Sequence, residues 1–422
     1  MKNPLAVFII SVLLLIPGAL MAQDEVSLTL DEAVSLALRQ NRDVLLKDQD
    51  IQKAKAKIAE AKASLFPSLS LNASLMDTRG LYAKDVVSDT EQVTLKQVLY
   101  KGGKTVNSIR YNEYLLVIAQ ALLDKTKLDT VLSVKKGFYT LLLARELTVL
   151  NKAIVENTRA HLNWLEERYK KGEASESDML DIRESLAASE EAYVSALSQL
   201  ESSSQLLKNL LYLDEGAIIM PNAEFRYEPK ELAYDESLLK AMRSRPEIRQ
   251  YEAQEAASKK AIEVAKADSR PVVSASWDYY GRSHPITGTS RNRNDYNVLG
   301  LNLSWPIFDG WLTKAKVEQA IVDLKEARLS REKAIRDISL ELKNAYLSFK
   351  DAIARLKTAE SQIQLYQDRV SGIKQKYGQG IVSQLDLEDV NLIYAVALFN
   401  KKEALYDYII ARESFDKATG GS

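Results

Sequence analysis

The residue types that most often do chemistry in proteins are scarce in this chain. Its 422 residues include no cysteine and only two histidines, His161 and His284. Thiolate nucleophiles and thiolate-ligated metals are therefore excluded, and two histidines argue against a multi-histidine centre within one chain. Carboxylate pairs such as Glu166-Glu167 fall on polar helix faces with no pocket around them. We expect no enzyme, no metal and no cofactor, and we expect His161 to be a packing or surface residue of a long helix.

The charged residues are numerous but balanced in sign. Lysine and arginine number 57, aspartate and glutamate number 58, and the formal net charge is −1. A protein that binds nucleic acid would show a basic stripe, whereas mixed charges are typical of exposed helix faces. The composition argues against a nucleic-acid partner. With only nine prolines and many good helix formers, it favours a mostly helical protein.

Two phrases of the sequence repeat each other 208 positions apart. Each carries Tyr, Gly, Ser and Asp at the same spacing: Tyr169, Gly172, Ser175, Asp178 and Tyr377, Gly380, Ser383, Asp386. Pro67 is echoed by Pro271 at an offset of 204. A repeat whose offset drifts slightly indicates two copies of one structural unit with small insertions in loops. The function therefore depends on two similar halves.

The first residues are typical of a secretory signal peptide. Lys2 precedes an apolar run from Leu5 to Leu15, and small residues follow up to Ala22. We predict a signal peptide at residues 1–22; the alternative is a membrane anchor, for which the run is short because a span needs about 20 residues. Later stretches are not apolar enough for a spanning helix, so a membrane crossing would have to use strands.

Each repeat follows the same predicted order of elements. The first repeat, residues 23–213, is predicted to contain a helix at 30–65, a β-hairpin at 67–100 and two long helices within 104–213. A linker at 214–235 leads to the second repeat, residues 236–422, with a helix at 236–269, a β-hairpin at 271–308 and long helices within 313–418. Pro67 and Pro271 mark the breaks from helix to strand, because proline ends a helix. Polar loops are predicted at 77–89 and 281–294.

One long helix of the second repeat carries a strict heptad pattern. Its apolar residues are separated alternately by three and four positions: Ile335, Ile338, Leu342, Ala345, Phe349, Ala352, Leu356, Ala359, Ile363, Tyr366, Val370, Ile373 and Tyr377. A sustained period of 3.5 predicts left-handed coiled-coil packing. The equivalent helix of the first repeat, predicted at 104–170, would be about 100 Å long. A helix of that length is longer than a compact domain can hold.

The predicted strands have two different faces. Leu69, Leu71 and Leu75 alternate with small polar residues, and Leu299, Leu301 and Leu303 do the same in the second repeat. Such strands suit either a half-buried soluble sheet or a membrane sheet with lipid on one side and water on the other. Four strands cannot close a barrel, and open edges are not tolerated in hydrocarbon. A membrane location would therefore require several chains to close one barrel.

The order of these elements, given twice, resembles the TolC-like outer-membrane efflux proteins. The repeated Tyr-x-x-Gly-x-x-Ser-x-x-Asp phrase and the strand-to-helix phrase ending in Phe308, Asp309 and Gly310 carry the resemblance. It implies a homotrimer in which three chains supply twelve strands to one outer-membrane barrel and their helices form a periplasmic tunnel. The implied function is a passive exit duct in a tripartite efflux or type I secretion system. The implied partners are outer-membrane lipid, a periplasmic adaptor and an inner-membrane pump of RND or ABC type.

The same resemblance implies a gate at the helical tips farthest from the membrane. Asp386 and Asp389 fall where the family has an acidic constriction, and Asp178 and Tyr377 fall where a latch holds the tips closed. Gly172 and Gly380 are expected at the tip turns. Val382 stands where the best-known member has an arginine, so the latch is expected to be built differently. Outside this family, the alternatives are a secreted coiled-coil scaffold of the periplasm and a periplasmic adaptor protein.

Overall fold

The computed structural model describes residues 25–81, 84–214, 216–231, 233–285 and 291–421. The predicted signal peptide lies outside these residues. The described chain is mostly helical, with six strands and eight α-helices in the described ranges. The elements are β1 (Glu25–Leu28), α1 (Leu30–Gln40), α2 (Arg42–Ala63), β2 (Ser68–Leu81), β3 (Lys84–Lys101), α3 (Lys104–Lys170), α4 (Glu176–Leu211), β4 (Ile218–Pro221), α5 (Tyr234–Ser244), α6 (Pro246–Lys266), β5 (Val272–Pro285), β6 (Arg291–Ser304), α7 (Leu312–Gly378) and α8 (Gln384–Ala418). A 3₁₀ turn, Ala267–Ser269, joins α6 to the segment before β5.

Two helices dominate the molecule, one in each repeat. α3 and α7 each contain 67 residues, which corresponds to about 100 Å at 1.5 Å per residue. α3 packs against α4 and α7 against α8, so each pair forms a long antiparallel hairpin. α6 packs against both α3 and α7. In the described residues no helix combines the length and the apolarity that crossing a membrane requires.

The heptad residues of α7 face its neighbours. Ile338, Leu342, Phe349 and Leu356 are buried, and they pack with residues of α8 such as Tyr408. Further toward the tip the seam continues through residues that are only half-buried. The packing is therefore densest near the middle of the helix and thins out toward the tip.

The four long strands form one antiparallel sheet in the order β2-β3-β5-β6. The two hairpins join through β3 and β5, so the sheet contains both repeats. The prediction of polar loops at 77–89 and 281–294 is wrong for the described residues, because ladder pairing continues to Leu81 and Lys84 and to Pro285 and Arg291. Backbone hydrogen bonds between neighbouring strands hold these polar residues in an extended conformation. Such pairing cannot be predicted from the periodicity of the side chains.

Each predicted short helix is broken once. The helix predicted at 30–65 is interrupted at Asn41, whose side chain accepts hydrogen bonds from the backbone N–H groups of Asp43 and Val44 and starts α2. The helix predicted at 236–269 is interrupted at Arg245, and Pro246 starts α6. Asn favours an N-cap, and proline favours the first helical position because it lacks an N–H group.

The linker between the repeats is ordered against the helices in the described part of the chain. It contains β4, which pairs in parallel with β1. Glu228 accepts a hydrogen bond at its carbonyl oxygen from the Tyr408 hydroxyl, 2.7 Å away, and its carboxylate pairs with Arg412 at 2.7 Å. The Phe225 ring stacks on Tyr139 of α3 with centroids 5.8 Å apart. The linker therefore contacts both long helical hairpins near their roots, the ends opposite the turns at Gly172 and Gly380.

Candidate channel wall and gate

One face of the four-stranded sheet is apolar and exposed. The register aligns Leu69, Leu95, Trp277 and Leu299 in one row across all four strands. These side chains are between 40% and 83% exposed, although a soluble sheet would bury such a row. The exposed apolar surface continues along the edge strand β6 at Leu301 and Leu303. This face requires an apolar medium or a partner.

The opposite face is polar and internally hydrogen-bonded. Asp278 accepts hydrogen bonds from the Thr94 hydroxyl at 2.6 Å, the Gln92 amide at 3.2 Å and the Ser276 hydroxyl at 3.0 Å. The Tyr280 and Tyr296 rings stack beside this network with centroids 5.0 Å apart. A sheet with one apolar and one polar face can separate lipid from water.

Two strands of this sheet pair on one side only within the described chain. β2 pairs with β3, and β6 pairs with β5. Each therefore presents a row of backbone N–H and C=O groups along its other side. An open edge next to apolar side chains is a template for pairing with another chain.

The turns at the two helical tips have the same geometry. Gly172 and Gly380 adopt φ of +75° and +72°, a left-handed conformation that favours glycine. Ser175 then caps α4 and Ser383 caps α8, each in a reciprocal capping box with the aspartate three residues later. The repeated sequence phrase is therefore a turn followed by a helix start, built twice.

The carboxylates of these capping boxes are already engaged. Asp178 accepts a hydrogen bond from the Ser175 backbone N–H at 2.9 Å, and this bond together with the Ser175 side chain holds the pKa of Asp178 below its usual range. The Ser383 hydroxyl and backbone N–H, at 2.7 and 2.8 Å, likewise lower the pKa of Asp386. Tyr377 is partly exposed, and among the described residues no hydrogen bond joins it to Asp178.

Asp389 has a partner that the sequence did not indicate. Its Oδ1 atom lies 2.7 Å from Nε2 of His161 on α3. His161, predicted to be a packing or surface residue of a long helix, is 25% exposed and is bonded to a residue of the other repeat. The scarcity of histidine was the only available signal, because the sequence alone does not show which face of α8 meets α3.

This contact is one of five polar links between α3 and α8, which we call the α3–α8 ladder. From the roots toward the tips its rungs are Lys417–Asp129 at 2.6 Å, Lys135–Glu413 at 2.6 Å, Thr140–Tyr406 at 3.0 Å, Lys402–Glu146 at 2.8 Å and His161–Asp389 at 2.7 Å. Residue numbers rise on α3 as they fall on α8, as expected for antiparallel helices. The ladder joins the first repeat to the second along most of the hairpin.

A second polar cluster fixes the roots of the hairpins. Arg245, 5% exposed, pairs with Glu247 at 2.8 Å and with Glu341 of α7 at 2.7 Å. Its guanidinium also donates to the Ala418 carbonyl at the end of α8, at 3.3 Å. Across the described residues, His, Asp and Glu side chains form no group of three or more that could hold a metal ion.

Comparison with known proteins agrees with this architecture. The profile of the family "Outer membrane efflux protein" matches residues 33–211 and 238–421, one segment in each repeat. Protein CyaE of Bordetella pertussis is 26% identical over 319 residues, which cover 74% of this chain but 65% of CyaE. The alkaline protease secretion protein AprF of Pseudomonas aeruginosa is 21% identical over 420 residues, covering 93% of this chain and 84% of AprF.

The fold is also that of solved outer-membrane channels. The crystal structure of the Campylobacter jejuni CmeC outer membrane channel superposes with a TM-score of 0.77 at 20% identity, covering 93% of this chain and 85% of that one. The predicted fold class, mostly helical with a small strand part, is confirmed, and so is the resemblance inferred from the sequence. With the family profile matched over both repeats, the chain belongs to the outer membrane efflux protein family.

Proposed function

We propose that this protein is the passive exit duct of a tripartite efflux or type I secretion system, assembled as a homotrimer in the outer membrane. The observation that carries the proposal is the four-stranded sheet with an exposed apolar face, a polar face and two unpaired edges, set at the end of helices about 100 Å long. An open edge in hydrocarbon leaves backbone groups without partners, at a cost of several kcal/mol each. Pairing β6 of one copy with β2 of the next removes both edges.

Three copies would supply twelve strands to one barrel. Its polar face, with Asp278 and Gln92, would line a water-filled interior, and its apolar face would meet lipid. The helices below would form the wall of a tunnel through the periplasm. Large apolar side chains that remain exposed on α4 and α7, such as Val194 and Leu347, suit contacts between neighbouring copies.

The proposed partners are inferred from the relatives, and they would bind at the helical tips. AprF is by its name a secretion protein, and CmeC is by its title an outer membrane channel. By this similarity we propose that an inner-membrane pump of RND or ABC type delivers the exported substrate through a periplasmic adaptor to the tips. Asp386 and Asp389 would form the acidic constriction of the closed tunnel, and Asp178 and Tyr377 would contribute to its latch. We assign no catalytic role to any residue.

The membrane assignment is tested by placing one charge on each face of the same strand. Leu71→Arg puts arginine on the exposed apolar face, where it costs about 2–4 kcal/mol near the middle of a bilayer. The adjacent control, Asn72→Arg, puts it on the polar face, where it should be tolerated. We expect detergent extracts of the outer membrane to yield trimers for the control and the parent but not for Leu71→Arg.

Conductance in planar bilayers then tests the duct itself. The parent trimer and the Asn72→Arg trimer should form aqueous pores. A mature protein that is released by osmotic shock as a water-soluble monomer would contradict the proposal and would favour the periplasmic scaffold. The adaptor alternative is already disfavoured, because the family profile covers both repeats.

The gate is tested by ion selectivity. Replacing Asp386 and Asp389 with asparagine keeps an acceptor oxygen at each position but removes six charges from the proposed trimer. Clustered carboxylates attract cations into a narrow pore, so the reversal potential in a salt gradient should shift toward that of an unselective pore. An unchanged reversal potential would place the constriction elsewhere. Glu191→Gln on the exposed face of α4 is a control for a charge lost away from the tips.

A further inference from the structure

The rungs of the α3–α8 ladder differ in chemistry. Three of them pair a lysine with a carboxylate, and a fourth joins two hydroxyl groups. Lysine and carboxylate side chains ordinarily keep their charges between pH 5 and pH 8. The rung nearest the tips is the His161–Asp389 pair, and histidine is the side chain that ordinarily changes charge in this range. Only this rung of the five can therefore change strength near neutral pH.

The His161–Asp389 rung lies close to the tips and far from the other rungs. His161 lies nine residues before the end of α3, or about 14 Å from the tip at 1.5 Å per residue. The next rung along α3 is at Glu146, about 22 Å farther from the tip. Along that interval the described residues of α3 and α8 form no other polar link with each other. His161 and Asp389 thus supply the polar part of the attachment between α3 and α8 near the tips.

The charged groups around His161 come from α8 and α4. From α8 it faces Asp389 directly, and its charge also contributes to the lowering of the pKa of Asp386, after the Ser383 hydrogen bonds. From α4 the charged groups that meet α3 at this level are held in ion pairs, Arg159–Glu190 at 2.7 Å and Arg183–Glu166 at 3.8 Å. α8 therefore presents His161 with two carboxylates and no basic partner in these contacts.

We propose that the His161–Asp389 pair is a pH-responsive latch between the first repeat and the second, strongest when His161 is protonated. The proposal rests on the proposed function, in which the helical tips must part for substrate to pass. A charge-assisted hydrogen bond is about twice as strong as a neutral one. Acid pH therefore holds α8 against α3, and the added stabilisation is lost as pH rises and the imidazole becomes neutral. At neutral and higher pH the tips separate more readily.

The latch is tested by measuring the distance between α3 and α8 directly. The chain has no cysteine, so Glu156→Cys on α3 and Asn391→Cys on α8 introduce two specific labelling sites. Both parent side chains are exposed. Spin labels at these sites report the joined and separated populations in the reconstituted trimer by pulsed electron paramagnetic resonance. We expect the ratio of separated to joined populations to rise about fivefold between pH 5.5 and pH 8.0.

Two variants separate the role of the charge from that of packing. His161→Gln keeps a hydrogen-bonding side chain without a titratable charge, and its population ratio should change less than twofold over the same range. Glu146→Gln weakens the neighbouring rung, which does not titrate near neutrality. It should raise the separated population at every pH while keeping the fivefold pH response.

The outcomes distinguish the latch from the duct. A pH response that is absent in the labelled parent, or that persists in His161→Gln, overturns the latch. The same proteoliposomes report ion flux. A conducting trimer with pH-independent spacing refutes the latch alone, whereas a trimer that conducts at no pH refutes the duct while the distances still decide the latch.

Discussion

Asn41 in the first repeat and Arg245 in the second occupy equivalent hinges, each between the two short helices that lead to the four-stranded sheet. The Asn41 amide lies 3.5 Å from the Leu210 carbonyl, and the Arg245 guanidinium lies 3.3 Å from the Ala418 carbonyl. Ala418 is the equivalent of Leu210, because the two residues are 208 positions apart. The backbone arrangement is therefore the same in both repeats. Arg245 adds ion pairs to Glu247 and Glu341, which the neutral amide of Asn41 cannot form. Duplication preserved the geometry of the hinge while the chemistry diverged.

The contacts of the two long helices diverge in the same way. α3 packs against α6 and α8 of the other repeat, whereas the equivalent pairings of α7 with α2 and α4 are not comparably formed among the described residues. α4 and α7 instead expose large apolar side chains: Leu180, Val194 and Leu206 on α4, and Leu329, Leu340 and Leu347 on α7. One junction between the repeats is completed inside the chain, and its counterpart is open in the single chain; in the proposed trimer a neighbouring copy would complete it. This difference between equivalent helices supports a cyclic assembly.

The largest effect should come from the hinge. Arg245→Ala leaves the nearly buried Glu247 without its main partner, and loss of one member of such a pair costs about 3 kcal/mol or more. Asn41→Ala removes an N-cap and should cost about 1 kcal/mol. Thermal melting followed by circular dichroism should rank the variants in this order. The double variant Arg245→Ala, Glu247→Ala should recover stability relative to Arg245→Ala alone; equal melting of the two single variants would mean that the hinges are energetically equivalent.

The capping boxes should respond alike in both repeats. Ser175→Ala and Ser383→Ala each remove one cap, and each should cost about 1 kcal/mol locally. Hydrogen exchange of the first-turn amides of α4 and α8 measures that loss, with Ser198→Ala in mid-helix as a control. A clearly larger effect at α8 would show that the cap also supports the His161–Asp389 pair.

Below about pH 4, protonation of Asp178 and Asp386 should loosen the first turns of α4 and α8, a range more acidic than that of the His161 latch. The pKa values of Asp178 and Asp386 are lowered by hydrogen bonds from Ser175 and Ser383. A lowered pKa contributes stability that is fully present above the ordinary aspartate value and is lost as pH falls through the lowered value. Hydrogen exchange at the tips should therefore accelerate below about pH 4. Asp178→Asn should remove this acid response from α4 while α8 retains it.

The smallest effect is expected at the open counterpart of the latch. Arg369 on α7 and Asp181 on α4 stand 208 positions from His161 and Asp389, and both are exposed in the single chain. In the proposed trimer they would face each other between copies. An exposed ion pair contributes about 1 kcal/mol or less, so Asp181→Arg should lower the dissociation temperature of the trimer slightly. Adding Arg369→Asp should restore it, and failure of this swap would argue against the cyclic arrangement.

Most of the fold followed from local signals. The long helix predicted at 104–170 is α3, Lys104–Lys170, because sixty-seven residues pass without a strong helix breaker. The strands could be predicted from their alternating polar and apolar residues, and the two tip turns from the glycine in each repeated phrase. The hinges at Asn41 and Arg245 were missed because neither position interrupts the apolar periodicity. β1 and β4 were missed because four-residue strands are too short to show a pattern.

The candidate gate was only partly accessible from the sequence. Motif spacing identified Asp386 and Asp178 at the tips, but it could not show that capping hydrogen bonds already engage both carboxylates. The link between His161 and Asp389 depends on how α3 and α8 are rotated against each other. That rotation is set by packing along the whole hairpin, which no local stretch of sequence encodes.

The equal lengths of α3 and α7 restrict which insertions could lengthen the helical hairpins of this protein. Each heptad adds about 10 Å to a helix, and a heptad inserted in α3 between two rungs of the α3–α8 ladder would put the rungs on its two sides out of register unless α8 gained the same number of residues. The second repeat would have to change in step, or the six tips of a trimer would end at different depths. Relatives that bridge a wider gap between two membranes should therefore differ from this chain by whole heptads, inserted at four places at once.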